Sequence, residues 1–321
     1  MNRRRFLQTS ALTAAGLLLP PSFVAAQGSR FKMQAAWVND AEFAGYFTAI
    51  DKGYYRAEGL DLEYLPGGPD VIPETSLLSN RADVALTTVE TTIKAITEQK
   101  VPFVIIGAQY QKSPVGIVSL AKNPIRKPSD LIGKTLAVPP VNRLTVEAML
   151  KASNVDAGKV RIVPYAYDPT PLIKGEIDAS LDFTTNVPFT IKQQGADAVS
   201  FLIYDHGFPV FNDVVVVTQD TLKAKRKQIV AWLRASRKGW IENFKDPTKY
   251  PPTFKDTHFK GTGRSIENEV YFNTAQKPLI ETPAGIFSMS DAAIAKCIQA
   301  LATIGIKAEG KHFDTSLLKE I

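Results

Sequence analysis

Acids and aromatic residues fall together just beyond several short apolar runs. Trp37, Asn39, Asp40, Glu42, Phe43 and Tyr46 form the first such group. Thr88 and Glu90 follow the apolar run 84–86, and Gln109 and Tyr110 follow the run 103–108. Farther along stand Arg143, then Asp182, Phe183 and Asn186, and then His206. Aromatic faces stack on flat rings, and carboxylates accept from amino or imide edges. Arg143 is the one evident cation in the set, whereas a buried nitrate or sulfonate needs several donors. The balance therefore favours an aromatic nitrogen heterocycle. A flat ring edged with N–H donors satisfies it, with an anion as the alternative.

Several of these side chains also have local roles open to them. Asn39 and Glu42, and likewise Thr87 and Glu90, have the spacing of a helix capping box. Phe43 and Tyr46 lie at helical spacing, so at least one of them faces a core. His206 suits a hinge hydrogen bond. The three histidines, His206, His258 and His312, fall at no metal-ligand spacing. Gly133-Lys134-Thr135 lacks the upstream glycine of a phosphate-binding loop, Pro128 standing at that position. Cys297 is the only cysteine and sits in an apolar helical pattern, which makes it a buried thiol.

The elements that position these residues alternate strand and helix. Strands are expected at about 33–38, 60–65, 84–86, 103–108 and 115–120, with helices between them. The pattern restarts with strands at 135–138, 161–164, 177–181 and 201–204. Val214–Val217 is a run of four valines, as in a strand covered on both faces. Long helices follow over 223–244 and 291–304, and the Pro-, Lys- and Thr-rich stretch 246–263 reads as surface loop. The expected fold is α/β, two lobes joined by a two-crossing hinge. Residues 27–120 and 211–321 form the first lobe and 121–210 the second, with crossings near 110–120 and 207–214. In such sheets ligands sit beyond the carboxyl ends of the strands, which is what selects the residues above.

The chain has 321 residues and a formal net charge of +6. Arg3-Arg4-Arg5-Phe6-Leu7, a short apolar stretch and Val24-Ala25-Ala26 read as a twin-arginine export signal over residues 1–26. That apolar stretch is shorter than the roughly 20 residues a bilayer span needs. Removing the leader's three arginines leaves +3, with no concentrated basic face for nucleic acid. The basic run at 223–227 reads as the solvated side of an amphipathic helix. The expected product is an exported, soluble periplasmic protein, a monomer without a cofactor, binding no nucleic acid and inserting into no membrane. Twin-arginine export of folded cargo is the one hint toward a redox enzyme.

Two longer segments carry a resemblance. Trp37 to Ala49, and Asp51-Lys52-Gly53-Tyr54-Tyr55-Arg56-Ala57-Glu58-Gly59-Leu60-Asp61-Leu62, are similar to the opening of one family of periplasmic binding proteins. Gly67-Gly68-Pro69, Arg81 to Thr87, Asp130 to Lys134 and Gly175 to Ala179 extend the likeness. The family includes thiamine-pyrimidine, riboflavin, aliphatic-sulfonate and nitrate binding proteins. The resemblance implies the type II periplasmic binding fold, capture of a small molecule between the lobes, and delivery to a membrane ABC permease. It also implies that Asp182 to Asn186 faces the cleft. A fungal pyrimidine synthase shares the fold and works with iron, a histidine near the first helix and a cysteine-rich motif. Here Phe43 stands in place of that histidine and no cysteine cluster exists. The resemblance therefore implies a binder, with an exported enzyme as the alternative from another class.

Overall fold

A computed structural model describes residues 29–321, and the leader reading over 1–26 lies outside the described residues. The chain begins with β1 (Ser29–Gln34), α1 (Ala44–Asp51), α2 (Tyr54–Ala57), β2 (Leu60–Leu65), α3 (Pro73–Leu78), β3 (Val84–Thr87), α4 (Val89–Thr97) and β4 (Phe103–Tyr110). It continues with β5 (Val115–Leu120), β6 (Thr135–Val138), α5 (Arg143–Ala152), β7 (Arg161–Pro164), α6 (Thr170–Lys174), β8 (Ala179–Phe183), α7 (Val187–Gln193) and β9 (Ala198–Leu202). It ends with β10 (Asn212–Thr218), α8 (Gln219–Lys245), α9 (Ile266–Ile280) and α10 (Asp291–Thr303).

The strands make two sheets of five, ordered β2-β1-β3-β10-β4 and β7-β6-β8-β5-β9. Each sheet contains one reversed strand. In the first, β10 runs antiparallel to β3 and β4; in the second, β5 runs antiparallel to β8 and β9. These are the two strands that the chain enters on crossing from one sheet to the other. The crossings span 111–114 and 203–211. The sheets are thus mixed rather than wholly parallel. The expected boundary at residue 120 also moves, because Val115–Leu120 hydrogen-bonds only within the second sheet. Three strands shift as well. β8 covers Ala179–Phe183, not the expected 177–181. β1 pairs with β2 over Ser29–Gln34, not 33–38, and the last strand of the second sheet is Ala198–Leu202, not 201–204.

Packing explains the elements. All seven residues of β10 and all eight of β4 are buried, as the valine run requires. α1 buries six residues, including Tyr46 and Phe47, against α8, which buries Trp232 and Trp240. The two helices touch backbone to backbone: a Cβ on Gly239 would lie 2.2 Å from the Gly45 carbonyl oxygen. The stretch 246–263 is not a free surface loop. Tyr250, Phe254 and Phe259 are buried in it, and His258 stacks on Phe47 with ring centroids 4.3 Å apart. Apolar side chains spaced along a polar loop still leave water when a hydrophobic wall is near. Cys297 is fully buried, and burial pushes its thiol up to about 12. Among the described residues no helix is long and apolar enough to cross a membrane.

Candidate ligand cleft

The segment after β1 forms the first-lobe side of the cleft. Asp40 caps a 3₁₀ turn, Ala41–Phe43, by accepting from the Glu42 amide at 2.9 Å. Its other carboxylate oxygen pairs with Arg264 Nη1 at 3.0 Å. Asn39, expected as the cap, instead donates from Nδ2 to the His258 carbonyl. Glu269 Oε2 accepts from the Ala41 amide at 2.6 Å, and Gln109 Nε2 donates to the Glu42 carbonyl at 2.8 Å. Asp213 is buried near the Glu42 carboxyl, close enough for its charge to be felt there.

Asp40, Glu42, Asp213 and Glu269 therefore make a cluster with Arg264, and none of the four acids is more than 4% exposed. Burial penalises their charged forms. It raises Asp40 to about 6 against the pull of Arg264, and raises Asp213 to about 7. Burial and then the Asp40 charge raise Glu269 to about 7. Burial, with the Asp213 and Asp40 charges behind it, pushes Glu42 well above the carboxylate range. Asp213 also has φ of +46°, a left-handed conformation that Asp tolerates better than most residues.

The second-lobe side is built from strand ends. Asp182, in β8, is 3% exposed and accepts from Ser180 Oγ at 2.5 Å. Burial raises it to about 7, against the opposing pull of the Ser180 and Tyr165 hydroxyls. Tyr165 and Tyr167 follow β7 with ring centroids 5.8 Å apart. Tyr167 is 54% exposed and packs across the cleft on Trp37, centroids 6.0 Å apart. A second contact between lobes sets the edge of Phe183 on Tyr110 at 6.2 Å. Trp37 itself is held from behind: the Gly67 amide donates to its carbonyl at 2.9 Å, and a Cβ on Gly67 would lie 2.5 Å from its nitrogen.

Residues 40–250 match the family described as NMT1/THI5 like. The chain belongs to this family. A formylaminopyrimidine-binding protein of Halalkalibacterium halodurans is 26% identical over 267 residues, covering 80% of this chain and 79% of that protein. The riboflavin-binding protein RibY of Chloroflexus aurantiacus is 21% identical over 217 residues, covering 66% of this chain and 62% of that protein. The crystal structure of the periplasmic aliphatic sulphonate binding protein SsuA from Escherichia coli superposes with a TM-score of 0.69 at 10% identity. It covers 91% of this chain and 97% of that one, so the two share a fold.

In this NMT1/THI5-like chain the residues selected from sequence separate into groups. Trp37 and Asp182 both lie near Tyr167, and Tyr110 meets Phe183 in a second contact between the sheets, while Asn39, Asp40, Glu42 and Gln109 are tied to the first-lobe backbone and Arg264. Phe43 and Tyr46 go into the core instead, both at 0% exposure: Tyr46 stacks on Trp232, and Phe43 sets its edge on Tyr64. Two residues three apart on a helix share a face, and here that face is the buried one. Arg143 is exposed and spends its charge on Glu147, one helical turn away at 2.9 Å. Thr88, not Thr87, caps α4, so the expected box with Glu90 does not form. Burial raises Glu90 to about 7, and its charge reaches Cys297. Asn186 accepts from Asn268 at 2.8 Å, and His206 sets its edge on Phe201 at the second crossing.

Sequence reasoning missed Tyr165, Tyr167, Asp213, Arg264, Asn268 and Glu269. The rule that selected Asp182 would have found the two tyrosines, since both follow a strand. Ser265 ahead of Glu267 and Glu269 was a helix-start signal for α9. Asp213 had no signal, because it opens a strand whose other residues are apolar or neutral. Among the described residues no three His, Cys, Asp or Glu side chains converge as a metal-holding group.

Proposed function

We propose that this chain is the periplasmic solute-binding component of an ABC importer and that it takes an aromatic nitrogen heterocycle, an aminopyrimidine or a flavin, between its lobes. The observation that carries the reading is the Trp37–Tyr167 contact across the cleft with Asp182 close behind it. Two rings from opposite lobes offer stacking faces to a flat ligand. A buried carboxyl whose pKa lies near neutrality can accept from an amino group or, when protonated, donate to a ring nitrogen. Family membership and the two relatives, named for a formylaminopyrimidine and for riboflavin, support the same class. Arg264, the cation of the first-lobe wall, is already committed to Asp40, which leaves little to hold an anion.

In this reading the ligand is captured and released unchanged. The lobes close on it by bending at 111–114 and 203–211, and the closed form docks on the permease. The protein works as an exported monomer.

A thermal-unfolding panel of aminopyrimidines, thiamine, riboflavin, taurine, alkanesulfonates and nitrate tests the class. A ligand at about 100 times its dissociation constant adds about 2.7 kcal/mol of stability. A shift with a heterocycle and with neither sulfonate nor nitrate is the expected result. A shift with the anions alone rejects the heterocycle. Chromatography of the released ligand must return the compound supplied; a converted product would make the chain an enzyme.

A further inference from the structure

We propose that α7 and α9 form a latch that draws the two lobes together through protein contacts alone, with Asn268 at its centre. The latch rests on the proposed capture function for its purpose, though not for its test.

α7 packs on the second sheet, against β9, and α9 on the first-lobe side, against the turn at Ala41–Phe43 and β4. Four side-chain contacts join them. Asn268 Nδ2 donates to Asn186 Oδ1 at 2.8 Å, and Thr190 Oγ1 donates to Asn268 Oδ1 at 3.2 Å. Gln193 Nε2 donates to Ser265 Oγ at 2.6 Å. Phe189 stacks on Tyr271, with centroids 5.0 Å apart and planes 23° apart. None of these contacts uses Trp37, Tyr167 or Asp182, so a ligand held by those three is not needed to make them.

Asn268 also connects the latch to the cleft. It is 3% exposed, and its second amide hydrogen goes to Glu269 Oε1 at 3.3 Å. The other oxygen of Glu269 holds the Ala41 amide. A line of hydrogen bonds thus runs from Asn186 in the second lobe, through Asn268 and Glu269, to the backbone beside Asp40. Lobe closure and the placement of the segment carrying Trp37 are set by one chain of contacts. A hydrogen bond made only in the closed form shifts the closed-to-open ratio by about fivefold.

Spin labels at two exposed lysines, Lys122→Cys on the second lobe and Lys260→Cys on the first, read the separation of the lobes without any ligand. A dominant short distance is expected for the otherwise unaltered chain. Gln193→Ala, at an exposed position, shifts the population toward the longer distance by about fivefold, and Asn268→Ala by at least as much. Circular dichroism melting checks that each variant folds, and should Asn268→Ala not fold, Gln193→Ala and Asn186→Ala decide. An unchanged distance distribution in the folded variants overturns the latch, as does a dominant long distance in the parent. A failed ligand panel overturns the proposed function and leaves this distance result standing.

Discussion

On the first-lobe side of the cleft, buried carboxyls spend themselves on the protein: Asp40 on Arg264 and a turn, Glu269 on the Ala41 amide, with Glu42 and Asp213 buried beside them. On the second-lobe side Asp182 stands apart from any cation, with Ser180 and Tyr165 beside it and Tyr167 exposed in front. The first arrangement fixes the shape of a loop. The second keeps a carboxyl available next to an aromatic wall. A count of acids near strand ends treats the two alike. Their partners separate them, and in the proposed reading the second lobe reads the ligand while the first is scaffold.

The largest expected effect tests the scaffold. Arg264→Ala removes the cation from a cluster of buried acids and should cost about 3 kcal/mol in urea unfolding at neutral pH. The loss should shrink toward pH 5, where Asp40, raised to about 6, takes up a proton. The parent protein has a related pH dependence. Asp40, Asp213, Glu269 and Asp182 all hold protons more tightly folded than unfolded. Stability from that source is complete below their unfolded values and is lost as pH rises through 6 to 7, so the urea midpoint should fall between about pH 5 and pH 8. A midpoint that stays flat over this range would show that these carboxyls are already ionised in the folded protein.

A middle-sized effect tests the division of labour. Asp182→Asn should weaken binding of the panel's best ligand by about tenfold or more, the scale of one charge-assisted hydrogen bond. Asp40→Asn should change the same affinity less than about threefold and show itself in stability instead. Equal losses of affinity, measured by titration calorimetry, would break the comparison. The smallest effect concerns Arg143, the cation once expected in the cleft. Arg143→Ala breaks an exposed pair one helical turn long, so stability should change by at most about 0.5 kcal/mol. Ligand affinity should not move.

What could be read from the chain followed local pattern. β2, β5, β6 and β7 lie within the expected bounds, because runs of apolar residues and their flanking turns carry that information. The aromatic wall was half visible: Trp37 follows β1 and Asp182 stands near the end of β8, while Tyr165 and Tyr167 follow β7. The scaffold was hidden for a different reason. Arg264 and Glu269 meet Asp40 and Ala41 across more than 220 residues of chain. The helix that carries Glu269 buries Asn268, Asn273 and Gln276 beside Phe272 and Leu279, so it shows no apolar stripe. A helix whose inner face is polar has no periodic signature to read. Asp213 was hidden inside a strand, where its left-handed backbone interrupts no sequence pattern.

The turn at Gly67 fixes how closely two stretches of backbone approach. Its missing side chain is what lets the strand-end backbone of Trp37 settle against it, because even a methyl group would stand 2.5 Å from the Trp37 nitrogen. Any side chain at this position must displace the backbone over 35–37, because the carbonyl oxygen of Ala35 and the carbonyl carbon of Ala36 crowd the same point as closely. The close approach of two backbones, rather than any side-chain contact, therefore sets where the strand-end residue Trp37 stands.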